Sequence, residues 1–553
     1  MQVAERLEQI RGATQVRLAL ESLEVAEVYG LPGVHNLSLW AELRDAKFRV
    51  VGVRHEQTAV YAADGASRAT GRLGVAITTT GPGAANALGA TGEAMESKSP
   101  VLVIATDIAS VHRRRGAHRG ALHETRDQAA MFAPVVKEVF RAARAEDLAE
   151  LVTRAAAVAM APSTGPVYLE IPTDLLDAPA FASPVVKNLT TGDGDTDGHG
   201  LESVQDVAAL LKEAQRPLIW VGGGAMRDGA ASAVARLAAD LGAPVIETYL
   251  ARGIMPVAHP CRIGLPPHVP EVGALWDEAD LVLSIGSDLD GMMTQNWRQP
   301  QPIRLIAINT NPADAAKNYT PDVVLVGRAS RVCEAISAEL TPSDDLEAVR
   351  TRLDAVRAAW RERLERDDPE VVLFLDTMAT AIPDDTVVVC DMCIPGYWLA
   401  GFHPIAGPRR LAYPMGWGTL GFAFPASLGA AVTQESPVLC VCGDGGFLFA
   451  CGELATAVQE QIPVTVLLVD NGGYGMLRFD HRGSAGGGFG TDLVTPDFAV
   501  LASAFGVEAE VVGGPGAELG EALGRHLTNG KPSMVILKAD FPPPPTTSPR
   551  WYR

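Results

Sequence analysis

Residues 438–475 read VLCVCGDGGFLFACGELATAVQEQIPVTVLLVDNGGYG, and this stretch decides the fold. It contains an apolar run of strand length, a segment with helical periodicity and a second apolar run. Two buried strands joined by a helix predict a βαβ unit with a right-handed crossover in a parallel sheet. Asp444 and Asn471 follow the two strands, so we expect them at the same carboxyl edge of that sheet, where open α/β folds bind ligands.

The polar residues at this edge suit a metal-bound diphosphate. A carboxylate, an amide oxygen and a nearby backbone carbonyl are hard oxygen ligands of the kind that Mg²⁺ prefers. Gly445 and Gly446 allow backbone amides and the start of the next helix to approach phosphate oxygens. A GDGG sequence alone is more often an ordinary turn, but its spacing to an Asn at the end of the next strand makes the pattern specific.

The pattern GDGG…ELATAV…IPV…VDNGGYG resembles the diphosphate-binding motif of thiamine diphosphate (ThDP) enzymes of the acetolactate synthase and benzoylformate decarboxylase superfamily. The resemblance implies that Asp444, Asn471 and the Gly473 carbonyl hold Mg²⁺. The family usually has Asn-Asn where this chain has Asp470-Asn471. The second Asn is the ligand, so the difference leaves the predicted metal site intact.

Composition and charge exclude several classes of protein. A net charge of −20 disfavours non-specific nucleic-acid binding. The sequence has no apolar run of about 18 residues and no apolar core near its start, so it predicts neither a membrane span nor a secretory signal. Seven cysteines, an odd number in a large chain, indicate reduced thiols and a cytoplasmic protein. Cys390-x-x-Cys393 lacks the second pair or His cluster that would complete a zinc site.

The domain organisation follows from strands that alternate with Ala-rich helical segments. This alternation predicts an α/β protein with three doubly wound parallel-sheet domains, which by resemblance bind the pyrimidine, form the middle of the chain and bind the diphosphate. The predicted segments are the pyrimidine-binding domain at 1–182, a linker at 183–200, the middle domain at 201–340, a helical connector at 341–368, the diphosphate-binding domain at 369–538 and a Pro-rich tail at 539–553. We expect the tail to be a polyproline II strap on the surface.

Glu56 is the principal predicted catalytic residue. It stands between a predicted strand and the helix that follows, where an acidic residue can simply stabilise the helix start. However, RHEQTAVYAADGASR, which contains this residue, resembles the segment that carries the activating Glu of ThDP enzymes. The resemblance implies that Glu56 exchanges a proton with N1′ of the aminopyrimidine.

A glycine-rich turn with the sequence TTGPGAAN follows a predicted strand at 79–86. By itself this turn could be merely structural. Its resemblance to the acetolactate synthase pattern implies that Thr79, Pro82 and Asn86 frame the pyrimidine. Benzoylformate decarboxylases tend to carry a working His near the position of Thr79, and this chain does not.

A second turn, GLPGVHNL at 30–37, resembles the loop that lines the active site in the family. The resemblance adds Pro32 to the cofactor-binding residues and Leu31, Val34 and His35 to the substrate pocket. Pyruvate decarboxylases have an Asp proton donor at the position of Val34. Its absence here disfavours a simple aldehyde-releasing decarboxylase.

Residues 110–124 carry the remaining candidates of the first domain. His123 occupies a position similar to that of the functional Gln in acetolactate synthases, where an imidazole could donate or accept a proton. The alternative is a structural or solvent-exposed His. A basic run nearby is either a solvated loop or an anion-recognition site for an acidic substrate. Its members are Arg113, Arg114, Arg115 and Arg119.

In the third domain, YPMGWGTLGFAFP at 413–425 resembles the family motif GLGTMGFGLPAA. The resemblance implies that Leu420 props the cofactor in its bent shape and that the Gly418 carbonyl accepts a hydrogen bond from the 4′-amino group. A turn at 393–397, which contains Gly396, is expected to face the diphosphate.

The segment after the metal loop is expected to cover the substrate. Tyr474 is assigned to the cofactor, and Met476 and Leu477 to the substrate pocket. Pyruvate decarboxylases place a catalytic Glu near the position of Leu477. The glycine-rich stretch at 482–490 is a predicted lid.

The resemblance implies ThDP- and Mg²⁺-dependent decarboxylation of a pyruvate-like 2-oxo acid, followed by carboligation of the enamine to a second carbonyl compound. Ligation is favoured because Val34 and Leu477 replace both acidic proton donors. The alternatives are a benzoylformate-type decarboxylase that releases aldehyde, a flavin-dependent enzyme like pyruvate oxidase, and a non-catalytic ThDP-binding paralogue, which an intact Glu56 disfavours. No residue set in the middle domain decides for FAD. The family implies a homodimer or homotetramer with active sites at the subunit interface.

Overall fold

The structure is a computed structural model that describes residues 9–114, 116–181, 204–482 and 489–544. It contains three sheets, of six, five and six strands, in which every neighbouring pair of strands is parallel. The predicted fold class is therefore confirmed. The predicted linker at 183–200 and most of the predicted lid at 482–490 lie outside the described residues.

The first sheet has the strand order β3-β2-β4-β5-β7-β6, and β1 and β8 form a separate antiparallel ribbon. The central strands are apolar and fully buried, whereas the edge strand β6 has mixed polarity and therefore carries no strand signal in its sequence. The strands are β1 Gln9–Arg11, β2 Glu27–Gly30, β3 Arg49–Gly52, β4 Gly74–Thr78, β5 Val101–Asp107, β6 Glu138–Arg141, β7 Val167–Pro172 and β8 Pro179–Phe181. The helices are α1 Gly12–Ser22, α2 Leu37–Leu43, α3 Glu56–Thr70, α4 Pro82–Asn86, α5 Leu88–Glu96, α6 Gln128–Phe132, α7 Leu148–Met160 and α8 Thr173–Asp177.

The middle sheet has the strand order β10-β9-β11-β12-β13. Its two glycine turns pack against each other: a Cβ on Gly222 or Gly224 would lie 2.5 or 2.7 Å from the carbonyl oxygen of Gly286. Close packing thus accounts for these glycines. The strands are β9 Pro217–Val221, β10 Val245–Glu247, β11 Leu281–Ile285, β12 Leu305–Asn309 and β13 Val323–Val326. The helices are α9 Val204–Glu213, α10 Gly223–Arg227, α11 Ala231–Leu241, α12 Pro270–Glu278, α13 Pro312–Ala316 and α14 Ala329–Glu339, followed by α15 Leu346–Asp367 and α16 Pro369–Ala381.

The third sheet has the strand order β15-β14-β16-β17-β19-β18. Strands β16 and β17 are the two apolar runs of the opening stretch, and they are parallel neighbours, as the βαβ prediction requires. The strands are β14 Val387–Cys390, β15 Leu411–Ala412, β16 Val438–Gly443, β17 Val464–Asp470, β18 Glu508–Val512 and β19 Ser533–Lys538. The helices are α17 Ile394–Phe402, α18 Ala423–Thr433, α19 Asp444–Phe447, α20 Leu454–Gln459, α21 Gly475–His481, α22 Phe498–Ala504 and α23 Ala517–Leu527.

The chain forms two compact units that do not follow the order of the sequence. The first combines Met1–Gly192 with Gly416–Glu435 and Ala450–Ile462, and the second contains the remainder. Within the first unit, α3 packs tightly against α18. A Cβ on Gly65 would lie 2.0 Å from the Ala426 carbonyl oxygen, and a Cβ on Gly429 would lie 1.8 Å from the Ala62 carbonyl oxygen. The two glycines therefore allow the helix backbones to touch. We call this contact the α3–α18 seam.

The start of the Pro-rich tail differs from the prediction of a surface strap. Phe541 is buried, and its ring centroid lies 4.8 Å from that of Phe374. The Trp398 indole donates a hydrogen bond to the Pro542 carbonyl at 2.8 Å. An aromatic anchor and a buried donor thus hold this segment in the core of the second unit.

None of the helices in the described ranges has the length and apolar character that a transmembrane span requires.

Candidate active site

Asp444 is the central residue of the candidate metal site in the second unit. It follows Gly443, which pairs with Val469 on the neighbouring strand. Its side chain is buried, and neither carboxylate oxygen has a hydrogen bond of good geometry within the described residues. Burial raises the pKa of this carboxyl and the charge of Asp470 adds to the effect, whereas the backbone N–H groups of Gly445 and Gly473 oppose it. Weak contacts with backbone N–H groups do not compensate a buried negative charge, so a cation fits beside it.

Asn471 lies at the same sheet edge, two residues beyond Val469. Its amide nitrogen donates to Asp540 at 3.1 Å, which orients the side chain and leaves the amide oxygen as the atom that would contact a metal. Gly473 has a φ of 151°, and a Cβ there would lie 2.2 Å from the Thr491 carbonyl oxygen. Only glycine fits at this point of the loop, so the position of its carbonyl is fixed by the fold.

The GDGG turn meets a buried acid that the sequence analysis missed. A Cβ on Gly446 would lie 3.0 Å from a carboxylate oxygen of Asp391, and a Cβ on Gly396 would lie 2.2 Å from the Asp391 carbonyl oxygen. A Cβ on Gly445 would lie 2.7 Å from the Tyr474 ring. The structure thus brings four predicted cofactor residues to one sheet edge. Asp391 had no distinguishing signal because a single acid after a strand is common.

The predicted substrate residues of this unit lie on α21. Met476 is half-buried and packs against the hydrophobic core of the second unit. Leu477 is exposed. No cluster of three or more His, Cys, Asp or Glu side chains is placed for metal binding in the described ranges, so any metal here depends on the mixed Asp–Asn–carbonyl set.

Glu56 is the first residue of α3 in the first unit. The Asn86 amide donates to one of its carboxylate oxygens at 2.9 Å. A Cβ on Gly83 would lie 3.0 Å from the other carboxylate oxygen and 2.6 Å from a methyl carbon of Thr79. Pro82 occupies the first turn of α4, which begins at this glycine turn. The structure therefore gathers Glu56 and the three predicted pyrimidine residues around one turn.

The 30–37 loop packs on the same turn. A Cβ on Gly33 would lie 2.6 Å from the Thr79 side chain, and the Asn36 amide closes the loop through the Gly33 N–H and the Leu31 carbonyl. Within this loop, Pro32 and Val34 are exposed. The contact between Gly33 and Thr79 therefore attaches the loop to the pyrimidine turn.

His35 and His123 form an edge-to-face imidazole pair with ring centroids 5.2 Å apart. The Nδ1 atoms of both rings are buried without a hydrogen-bond partner among the described residues. Burial lowers the pKa of His35, and the neighbouring His123 lowers it further. His123 also has a φ of 64°, which places its carbonyl against Gly81 of the pyrimidine turn. The sequence did not predict that these two histidines meet.

The basic run is partly engaged by the protein itself. Arg113 forms an ion pair with the buried Asp107, and Arg119 donates to the His112 carbonyl at 3.3 Å. Arg114 is exposed, and Arg115 lies outside the described residues. The interpretation as an anion-recognition site gains no support from Arg113, because its charge is already paired.

Gln128 is a buried residue that the sequence analysis missed. Its amide oxygen accepts the Gly81 N–H at 2.6 Å, and its amide nitrogen donates to the Thr106 carbonyl and the Tyr168 hydroxyl at 2.9 and 2.7 Å. It lies 3.5 Å from Glu170 on the far side. Gln128 therefore fixes the pyrimidine turn from behind. Gln128 is the first residue of α6, and nothing in the sequence separates it from an ordinary polar residue at a helix start.

The Gly418–Leu420 turn belongs to the first unit. Gly418 has a φ of 67°, which favours glycine. The buried Glu93 accepts the Trp417 N–H and the Thr419 hydroxyl, both at 3.2 Å, and burial raises its pKa. Glu93 thereby holds the turn on which the two predicted cofactor residues lie.

Glu170 makes the stability of this region sensitive to pH. Burial and the charge of Asp107 raise the pKa of Glu170 from 4.5 to about 7, against the opposing charges of Arg141 and Arg113. A pKa raised in the folded state means that the contribution to stability is complete below the unfolded pKa of about 4.5 and is lost as the pH rises to about 7. This loss amounts to roughly 3 kcal/mol at most.

We expect Glu170→Gln, which mimics the protonated carboxyl, to raise the melting temperature at pH 8 and to leave it nearly unchanged near pH 4.5. Thermal unfolding of both proteins across this range provides the measurement. The partly exposed Glu138 on β6 is the control position, and Glu138→Gln should follow the wild type at each pH. Parallel curves for wild type and Glu170→Gln would contradict the assignment.

The protein has three parallel sheets. Glu56 lies at a helix start beside the first sheet, and the buried Asp444 lies beside a glycine turn of the third. This arrangement is typical of an enzyme that uses a diphosphate cofactor. The chain belongs to the thiamine pyrophosphate enzyme family. It matches the family's N-terminal TPP binding domain at residues 10–131, its central domain at 204–336 and its C-terminal TPP binding domain at 392–537. The family membership expected from the sequence is confirmed.

Several relatives cover nearly the whole chain. A probable 2-ketoarginine decarboxylase of Pseudomonas aeruginosa is 35% identical over 505 residues, 90% of this chain and 88% of that protein. A probable acetolactate synthase large subunit of Methanocaldococcus jannaschii is 29% identical over 556 residues, 96% of this chain and 92% of that protein. The structure of a ThDP-dependent 4-hydroxybenzoylformate decarboxylase from Rhodococcus jostii RHA1 has a TM-score of 0.79 at 23% identity, over 96% of this chain and 100% of that one.

Proposed function

We propose that this enzyme decarboxylates a 2-oxo acid with ThDP and Mg²⁺. The observation that carries the proposal is the buried carboxylate of Asp444, whose oxygens have no hydrogen bond of good geometry and no cationic side chain paired with them in the described residues, and which lies at the sheet edge shared with Asn471. These side chains and the Gly473 carbonyl fit Mg²⁺, and the Gly445 and Gly446 turn fits a diphosphate. Bound ThDP supplies the electron sink for the loss of CO₂.

The chain's own residues hold and move the protons in this proposal. Glu56 exchanges a proton with the pyrimidine through the oxygen that does not accept from Asn86. Thr79 and Pro82 frame the ring. We assign two further groups of residues, the first to the cofactor and the second to the substrate: Pro32, Gly396, Gly418, Leu420 and Tyr474, and then Leu31, Val34, His35, Met476 and Leu477.

We propose carboligation, as in acetolactate synthases, for the step after CO₂ loss. Val34 and Leu477 supply no proton, and both are apolar and exposed. An apolar surface without acids favours attack on a second carbonyl over protonation. The relatives include acetolactate synthases that cover most of this chain, which supports this choice.

Aldehyde release is the second candidate, because of the His35–His123 pair. Two imidazoles with buried, unpartnered Nδ1 atoms are potential proton donors. The relative named as a probable 2-ketoarginine decarboxylase supports this candidate too. FAD is not part of either proposal, because the middle-domain glycines already have a packing role.

We also propose a homodimer or homotetramer in the cytoplasm, with active sites at the subunit interface and with the domain boundaries given above. The pyrimidine residues and the metal residues belong to different compact units, which is compatible with sites shared between chains. None of the seven cysteines, all of which lie in the described part of the chain, forms a disulfide, which suits a reducing compartment.

Analysis of the reaction products distinguishes carboligation from aldehyde release. The purified protein with ThDP and Mg²⁺ is incubated separately with pyruvate, benzoylformate and 2-ketoarginine, and the products are identified by NMR. Acetolactate or another ligation product supports carboligation, and free aldehyde alone supports the second candidate. Absence of CO₂ from all three acids would contradict the proposed use of these classes of 2-oxo acid.

A further inference from the structure

Glu453 is a buried acid that contacts the chain just before α3, the helix that begins with Glu56. It belongs to the short 3-10 turn Cys451–Glu453, which precedes α20 and is part of the first compact unit. Its side chain is about 2% exposed. The Arg54 N–H donates to its two carboxylate oxygens at 3.0 and 3.2 Å. The contact therefore reaches the chain two residues before the proposed catalytic carboxylate.

Four neighbouring residues direct hydrogen-bond donors at the Glu453 carboxylate. Besides Arg54, these are the backbone of His55 and the hydroxyls of Thr58 and Thr456. A carboxylate accepts from all of them, whereas an amide would present its NH₂ group to some of these donors. The first amides of a helix have no partner within the helix, and negative charge near them is stabilising. Glu453 places a negative charge beside the start of α3 and accepts from the N–H groups of Arg54 and His55, the two residues that precede the helix.

Two further contacts clamp the same junction. The Arg54 guanidinium donates to the Gln459 side-chain oxygen at 2.6 Å. The Arg49 guanidinium, on β3, donates to the Glu460 carbonyl at 2.6 Å. The strand end and the helix start on either side of Arg54 are thus tied to one short segment, residues 453–460. The orientation of the first turn of α3 depends on this segment.

We propose that Glu453 is a positioning residue for Glu56: its carboxylate fixes the β3–α3 junction so that the Glu56 side chain meets the pyrimidine nitrogen. This inference rests on the proposed role of Glu56. Glu453 itself touches neither substrate nor cofactor. The assignment means that a segment of the diphosphate-binding part of the sequence sets the geometry of the acid that serves the pyrimidine.

The test compares Glu453→Gln with Glu460→Gln, a matched control on the same segment whose backbone carbonyl contact is retained. In the protein without ThDP, amide exchange of the peptide 53–61 is measured by mass spectrometry. With ThDP, the exchange rate of the cofactor's C2 proton and the ThDP dissociation constant are measured. Loss of a hydrogen-bonded buried charge is worth a factor of about 10 or more.

We expect Glu453→Gln to speed amide exchange in 53–61 at least about tenfold and to slow C2 proton exchange at least about tenfold, with less than about threefold change in ThDP affinity. Glu453→Asp should restore part of both rates. Unchanged exchange in both measurements overturns the proposal. If Glu453→Gln destabilises the whole protein, Thr456→Val replaces it: a selective change in 53–61 supports the proposal, and a uniform or absent change overturns it.

Glu56→Gln, measured in parallel, separates the two hypotheses. If Glu56→Gln leaves the C2 proton exchange unchanged, the proposed role of Glu56 fails, and with it the inference. If Glu56→Gln slows that exchange and Glu453→Gln does not, Glu56 keeps its role and only the positioning role of Glu453 is lost.

Discussion

Glu56→Gln should lower turnover of the accepted 2-oxo acid by about 10²–10⁴-fold, the usual range for removal of a general acid–base group. The amide retains the size of the carboxylate, and its oxygen can still accept from Asn86, which donates at 2.9 Å in the wild type. The turn at Gly83 keeps its packing for the same reason. The variant therefore loses proton exchange but not the architecture of the site.

Steady-state kinetics and calorimetric titration with ThDP measure this result. The ThDP dissociation constant should change by less than about tenfold, because Asp444 and Asn471 still hold the metal. Glu146→Gln, an exposed position in the same domain, is the control and should behave as the wild type. Retention of activity within about tenfold of the wild type would remove Glu56 from the proposed mechanism.

Asp444→Asn should weaken the binding of ThDP with Mg²⁺ by at least about 100-fold, because it removes the only charged ligand of the proposed set. The same change should raise the melting temperature of the protein without cofactor. Burial raises the pKa of the Asp444 carboxyl more than the backbone N–H groups of Gly445 and Gly473 lower it, so the charged form is unfavourable in the folded state. Asp444→Asn is thus expected to weaken cofactor binding and, at the same time, to stabilise the protein without cofactor.

Thermal unfolding with and without ThDP and Mg²⁺ tests both halves of this prediction. The wild type should gain stability from the cofactor, and Asp444→Asn should gain little at the same concentrations. Asp384→Asn is the control, because Asp384 is exposed and precedes β14 at the opposite edge of the third sheet. An Asp444→Asn protein that is stabilised by ThDP as strongly as the wild type would contradict the proposed metal site.

The parts of the fold that the sequence predicts well are those in which one physical effect dominates. Strands β16 and β17 form where the sequence predicts two strands, because both are short, continuous apolar runs that a parallel sheet buries on both faces. The edge strand β6 escapes prediction because one of its faces is exposed and its residues are mixed. The start of the tail is buried, contrary to the prediction, because the Phe541 ring packs against Phe374. The prolines that follow Phe541 indicate an exposed strap, and nothing in the sequence shows that Phe541 anchors it.

The candidate site likewise contains residues that the sequence predicts and residues that only the folded structure identifies. Glu56, Asp444 and Asn471 can be found in the sequence because each ends a strand or begins a helix within a specific motif. Gln128 and Glu93 act from behind, through hydrogen bonds to backbone groups that are distant in sequence. A contact that depends on tertiary packing leaves no local pattern. The meeting of His35 and His123 likewise requires the folded chain.

The α3–α18 seam limits how this enzyme can be divided or recombined. A fragment that ends at residue 182 would lack Gly416–Glu435 and Ala450–Ile462, although both stretches belong to the first compact unit. The face of α3 around Gly65 would then meet water instead of α18. Chimeras between family members should therefore exchange these three stretches together, whereas two exposed positions, Val34 in a loop and Leu477 on α21, can be varied one at a time.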